Sequence, residues 1–308
     1  MVTAQLVKEL REITGAGMMD CKKALTETGG DIKKAVDFLR EKGLSSAAKK
    51  AGRIAAEGVV SSFVNSDFSK ATLVELNCET DFVAINPMFV KLSKEICEIA
   101  SDNGCEDIEK LESLNYKFSD EFNTVKDAIV GLVAKLGENI SLRRVVNYST
   151  NSGVVNTYIH GDGKIGVIIE LKAGSSNSDL AAVAKDLCMQ IAATSPIAIS
   201  SENVDKNVIE KEKQILTTQA LNEGKPENVV EKMVEGRIKK YLQEVCLLEQ
   251  AFVKDPDLKV IKFIDGKAKE LNTTIEVVNF ARFEKGEGIE KNEENFAEEV
   301  QKQMNKGK

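Results

Sequence analysis

An α+β protein of several parts is what this chain predicts, and three features carry that expectation. Its 308 residues exceed the size at which a single hydrophobic core stops growing. Apolar residues recur at helical spacing in the first 54 residues and in two-residue alternation from Glu57 onward. A strand, turn, strand, helix pattern also occurs twice, with a constant offset of 95 residues. Gly58-Val59-Val60 returns as Gly153-Val154-Val155, and Leu73-Val74-Glu75-Leu76 as Ile168-Ile169-Glu170-Leu171. Leu92 and Ile96 correspond to Leu187 and Ile191. Two copies of one unit, each with a single apolar sheet face, predict a two-part core.

Residues 1–54 predict a small three-helix docking domain. Thr3 caps the first helix and places Leu6, Val7, Leu10 and Ile13 on one face. Gly15 and Gly17 break the chain before Met18–Leu25. Gly29-Gly30 breaks it again, Asp31 caps a third helix carrying Ile32, Ala35, Val36 and Leu39, and Gly43 closes that helix. The basic, alanine-rich stretch from Ser45 to Ala56 reads as a semi-rigid linker or linker helix. The first half of the core is expected over 55–146. There Thr72–Leu76 is a strand, Asn86 and Pro87 open a helix, 106–137 is helical and Asn139–Val146 is a further strand. The second half is expected over 147–198 together with 242–284, in which Val260–Phe263 and Ile275–Phe283 read as strands.

Between those pieces, 199–241 predicts a protruding antiparallel coiled-coil hairpin. Val204, Val208, Ile215 and Leu216 supply one narrow seam, and Val230, Met233, Ile238 and Tyr241 the other. Asn222-Glu223-Gly224-Lys225-Pro226 makes the bend. The end, 285–308, reads as a C-terminal helical module anchored by Ile289, Phe296 and Val300.

Composition excludes several classes of function. Lysine and arginine number 42 against 49 acids, a net charge of −7, so no direct nucleic-acid partner is expected. The basic run Lys49-Lys50-Ala51-Gly52-Arg53 reads as solvated linker. Six scattered cysteines without a C-x-x-C pair, and one histidine, make neither a metal centre nor a cofactor site. No stretch reaches the ~20 apolar residues of a membrane span. Because Met1–Leu6 enters a helix at once, no targeting extension is expected, and the chain reads as cytoplasmic with reduced thiols.

Few residues offer chemistry. Gly161-Asp162-Gly163-Lys164-Ile165-Gly166 matches the dinucleotide pattern G-x-G-x-x-G, which requires a helix directly after it. A strand, Val167–Leu171, follows instead, so the glycines read as a hairpin turn. His160 lacks the neighbours of a catalytic triad and reads as a polar strand-end residue or a partner contact. The chain is expected not to be an enzyme. Phe82, between a strand and a helix, is by type more often core than surface. Two details oppose that: Asp81 beside it resists unpaired burial, and Phe89, Val90, Leu92 and Ile96 already give the next helix an inward face.

The choice for Phe82 comes from a resemblance. Thr14–Leu25, Thr80-Asp81-Phe82-Val83, His160-Gly161 with Lys164–Val167, Lys232–Arg237 and Arg282–Lys291 together resemble bacterial elongation factor Ts over essentially the full length. The resemblance implies a UBA-like N-terminal domain, a two-part core, a coiled-coil hairpin and a C-terminal module. It implies a guanine-nucleotide exchange factor that binds elongation factor Tu, GDP-bound and nucleotide-free. Such a factor displaces the partner's magnesium ion and promotes GDP release during translation elongation. Carried onto this chain, Thr80, Asp81, Phe82 and Val83 displace the ion, with Phe82 as the wedge. Arg11, Met18 and Met19 dock the N-terminal domain, and His160, Gly161, Lys164, Ile165 and Gly166 add contacts, as does the C-terminal module. Homodimerisation into a 2:2 complex also falls within the resemblance. The alternative is a scaffold or chaperone-type adaptor, working through the hairpin and the N-terminal domain without exchange activity.

Overall fold

The computed structural model describes residues 2–14, 16–174, 178–224 and 226–290. Three helices come first: α1 (Ala4–Thr14), α2 (Met18–Glu27) and α3 (Ile32–Lys50). Thr3 accepts a hydrogen bond from Leu6 N at 3.2 Å, and Asp31 accepts one from Lys34 N at 3.1 Å, so both caps form. Val7, Leu10, Cys21, Ala24, Leu25 and Ala35 make a small core of their own. Two expectations fail here. Ile13 is half exposed, and Thr14 takes the inward place with its hydroxyl bonded back to Leu10 O at 2.7 Å. Gly43 does not close α3 but lies buried inside it, where an added Cβ would stand 3.4 Å from Ala134 Cβ. Glycine within a helix costs only about 1 kcal/mol, too little to stop one that gains a close contact.

The core then runs β1 (Glu57–Val64), β2 (Lys70–Cys78), α4 (Asp81–Ala84), α5 (Pro87–Asn103), α6 (Ile108–Ser113), α7 (Val125–Leu136) and β3 (Ile140–Ser149). Next come β4 (Gly153–His160), β5 (Ile165–Ala173), α8 (Ser178–Thr194), α9 (Lys206–Asn222) and α10 (Glu227–Val245). The described chain ends through β6 (Ala251–Phe252), β7 (Asp255–Lys259), α11 (Val260–Glu270) and β8 (Ile275–Glu284).

Two antiparallel sheets, ordered β1-β2-β3 and β4-β5-β8, carry the repeat into three dimensions. The pairing Gly58↔Asn77 recurs 95 residues later as Gly153↔Lys172. Even the third strands match: Val74↔Val145 corresponds to Ile169↔Phe280, and both central strands bulge after the equivalent glutamates, Glu75 and Glu170. Gly58 and Gly153 hold φ of +143° and +120°, and a Cβ there would stand 2.2 Å from Leu76 O or 1.9 Å from Leu171 O. Only glycine fits either place.

One face of each sheet is covered by its own helix, α5 or α8. The other faces meet, burying Val60 and Leu73 with their equivalents Val155 and Ile168. Each such side chain contributes roughly 1.5–3 kcal/mol of burial. Ser62 and Thr157, also equivalent, touch through their hydroxyls at 3.1 Å, so a local two-fold axis passes beside them. The layers are helix, sheet, sheet, helix.

The N-terminal domain rests on α7, where Arg40 pairs with Asp127 at 2.8 Å beside a 170 Å³ cavity lined in part by Leu39, Phe122 and Val130. Helices α9 and α10 form the antiparallel hairpin, and α10 continues to Val245. Its seam differs from the expected one. Ile209, Leu216 and Ala220 meet Val230, Val234, Ile238 and Leu242, while Val208 and Ile215 face outward. Val260–Phe263 is the first turn of α11 rather than a strand, because Val260, Phe263 and Ile264 bury one side of a helix. The expected terminal helix, with Phe296 and Val300, lies outside the described residues.

Candidate functional site

The chain between β2 and α5 is built to hold one aromatic ring outside the core. Thr80, two residues past β2, is extended and caps α4, its Oγ1 accepting from Val83 N at 3.4 Å. Cys78 donates to Thr80 O at 3.1 Å, and burial pushes its thiol up to about 12, with Glu138 and Glu57 adding negative potential. It is therefore a neutral donor and not a nucleophile. Asn86 then caps α5 by accepting from Met88 N at 2.9 Å, with Pro87 in the first turn. Within α4, Val83 and Ala84 point into the core, and Asp81 and Phe82 point out. The Phe82 ring is 80 % exposed.

Sequence periodicity did not single out the residues around it. Ile85 is 73 % exposed, Met88 and Ile54 are about half exposed, and with Phe82 they are unusually large apolar groups to leave in water. Glu138, after α7, was not singled out either. It accepts hydrogen bonds from both Glu79 N and Thr80 N, at 3.1 and 2.9 Å. No periodic signal could mark it, since its partners lie 58 and 59 residues away.

The turn 161–164 lies at the same end of the core. Glu57 pairs with Cys78 across the sheet, and Val60, three residues or about 10 Å farther along β1, donates to Gly163 O at 2.8 Å. His160 is exposed, with its Nδ1 3.0 Å from the Tyr158 hydroxyl. Gly161 and Lys164 are exposed and Ile165 is half-buried. Positive φ at Gly161, Asp162 and Gly163 makes this a strand-to-strand turn, not the opening of a helix.

Two residues of the expected site face inward, Gly166 of the contact set and Val83 of the ion-displacing set. Gly166 is buried, and a Cβ there would stand 2.3 Å from Val60 Cγ1, so it serves the approach of the two sheets. Val83 is buried and anchors α4. Arg11, Met18 and Met19 stand exposed on the N-terminal domain, Met19 at 75 %. Half-exposed Ile13 joins them as a large apolar surface residue on that domain.

Among the described residues no group of three or more His, Cys, Asp or Glu side chains could hold a metal ion. No helix among them is long and apolar enough to cross a membrane. What the site presents is protruding side chains on a double-sheet base. Comparison with known proteins identifies the family. The family model described as "Elongation factor TS" matches residues 79–287. Elongation factor Ts of Clostridium botulinum (strain Alaska E43 / Type E3) is 57% identical over 306 residues, covering 99% of this chain and 100% of that protein. Elongation factor Ts of Clostridium novyi (strain NT) is 53% identical over 305 residues, covering 99% of each. The chain belongs to the elongation factor Ts family.

Proposed function

We propose that this protein is a guanine-nucleotide exchange factor that binds elongation factor Tu, displaces its magnesium ion and promotes GDP release. The observation that carries this reading is the exposed Phe82 ring, mounted on a capped turn with Asp81 beside it. Exchange is coupling: a factor that binds the nucleotide-free partner more tightly must weaken nucleotide by the same ratio. Loosening GDP by three decades takes about 4 kcal/mol. Burying one phenylalanine supplies roughly 1.5–3 kcal/mol, so Phe82 needs help. Ile85, Met88 and the exposed Met18 and Met19 are the apolar reserve, and the doubled core is the rigid mount. With its ion displaced, the partner's nucleotide phosphates are poorly neutralised, which favours release. The chain does this without breaking a covalent bond, so it is not an enzyme in the ordinary sense.

Stopped-flow release of a fluorescent GDP analogue from elongation factor Tu tests the reading. Saturating chain should accelerate release by up to about three decades, since affinity changes fall mostly on the off-rate. An unchanged release rate would sink it in favour of a scaffold.

A further inference from the structure

We propose that Glu138 is a positioning residue whose carboxylate clasps the Glu79–Thr80 backbone and thereby sets the direction in which Phe82 leaves the core. The proposal rests on the exchange reading above. Glu138 Oε2 accepts from Glu79 N and Thr80 N, while its Oε1 accepts from Thr80 Oγ1 at 2.6 Å. The exchange is mutual: Glu79 Oε1 accepts from Asn139 N at 2.6 Å and sits 3.4 Å from Arg53 Nη1. Two neighbouring carboxylates thus cross-tie the strand end before α4 to the loop after α7.

The tie matters because α4 cannot hold itself. Four residues are far short of the ~12 that a helix needs to persist on its own hydrogen bonds. Buried Val83 and Ala84 fix its depth, but its orientation depends on the cap. Thr80 has one hydroxyl proton. Donating it to Glu138 leaves a lone pair for Val83 N, so Glu138 selects the side-chain setting that caps α4. Phe82 sits on that first turn. A methionine at 138 keeps the length of the side chain yet presents no acceptor oxygen. Two amides and one hydroxyl then lose their partner together.

The full chain carrying Glu138→Met, Thr80→Val or both should be compared with wild type in affinity for nucleotide-free elongation factor Tu and in maximal GDP release. Each single variant should bind within about threefold of wild type and release GDP at least tenfold more slowly at saturation. The double variant should be no more than about threefold slower than the worse single, because both act on the cap of α4. Wild-type release by Glu138→Met overturns the proposal, as do equal losses in affinity and rate, or single effects that multiply. Hydrogen exchange at the Glu79 and Thr80 amides gives a readout independent of the exchange reading. It should speed up by about tenfold or more in Glu138→Met, the effect of losing a hydrogen bond worth over 1 kcal/mol; unchanged protection overturns the clasp. If the wild-type chain itself fails to release GDP, the exchange reading falls, and these amides alone judge the clasp.

Discussion

The two halves of the core share strands, register, bulges and a covering helix, yet among the described residues only the first presents an exposed aromatic ring. Residues 79–86 connect β2 to α5, whereas only 174–177 connect β5 to α8. At the repeat offset, Val83–Asn86 align with Ser178–Ala181, which form the first turn of α8. Pro87 aligns with Ala182. Proline tolerates only the first turn of a helix, so α5 has to start there, and the preceding turn is released to become α4. The same scaffold thus yields either a plain helix start or an outward ring, and one proline with its Asn86 cap makes the difference. The proposed function sits on this connection, where the sheet can hold the ring without being changed by it.

The equivalent glutamates differ just as sharply. Glu75 is fully buried; burial pushes its carboxyl up, but Gly286 N and the guanidiniums of Arg144 and Arg143 outweigh this and hold it below the usual range. Glu170 is half-buried, and burial moves its carboxyl up. Glu75→Ala takes a shared carboxylate from two partly exposed arginines, which keep backbone and Glu287 acceptors, and should cost about 1.5–3 kcal/mol in urea unfolding. Because the folded-state value of Glu75 is depressed, its contribution is present above the ordinary glutamate range and is lost as pH falls through the folded value. Acidification below the ordinary glutamate range should therefore narrow the gap between wild type and Glu75→Ala, read from paired urea curves.

Phe82→Ala tests the other half of the comparison. GDP release at saturation should slow by about tenfold or more while stability stays within ~0.5 kcal/mol, since the ring touches little of its own fold. A large loss of stability in urea would mean the ring belongs to the core. The smallest effect is expected of Glu170→Gln. A raised carboxylate value opposes folding once the group ionises, so its cost appears as pH rises through the folded value. Glu170→Gln should add up to about 0.5 kcal/mol at pH 7 and nothing at pH 3, read from paired urea curves. If Glu170→Gln instead destabilises as Glu75→Ala does, the two positions are equivalent in energy as well as in place.

Much of this architecture is legible in the sequence because both halves must show the same apolar face to the same neighbour. Val60 and Val155, or Leu73 and Ile168, are one solution written twice. Val260–Phe263 was misread because four apolar residues look alike as a buried strand or as a helix start. Gly43 was misread because closing a helix takes a left-handed residue, and Gly43 packs against α7 instead. The exposure of Phe82 lies beyond periodicity altogether: its direction follows from Pro87 downstream and from bonds to Glu138 far away in the chain. Side chain to backbone ties across 58 residues leave no pattern to read.

The two sheets also differ in how much chain they must wait for. β1, β2 and β3 lie within residues 57–149, while the other sheet needs β8, which ends at Glu284. During vectorial synthesis the half bearing exposed Phe82 can assemble as soon as its third strand leaves the ribosome. Its twin must keep an open strand edge until the hairpin and α11 have been made. The later-closing sheet is thus the one exposed to mispairing in a nascent chain.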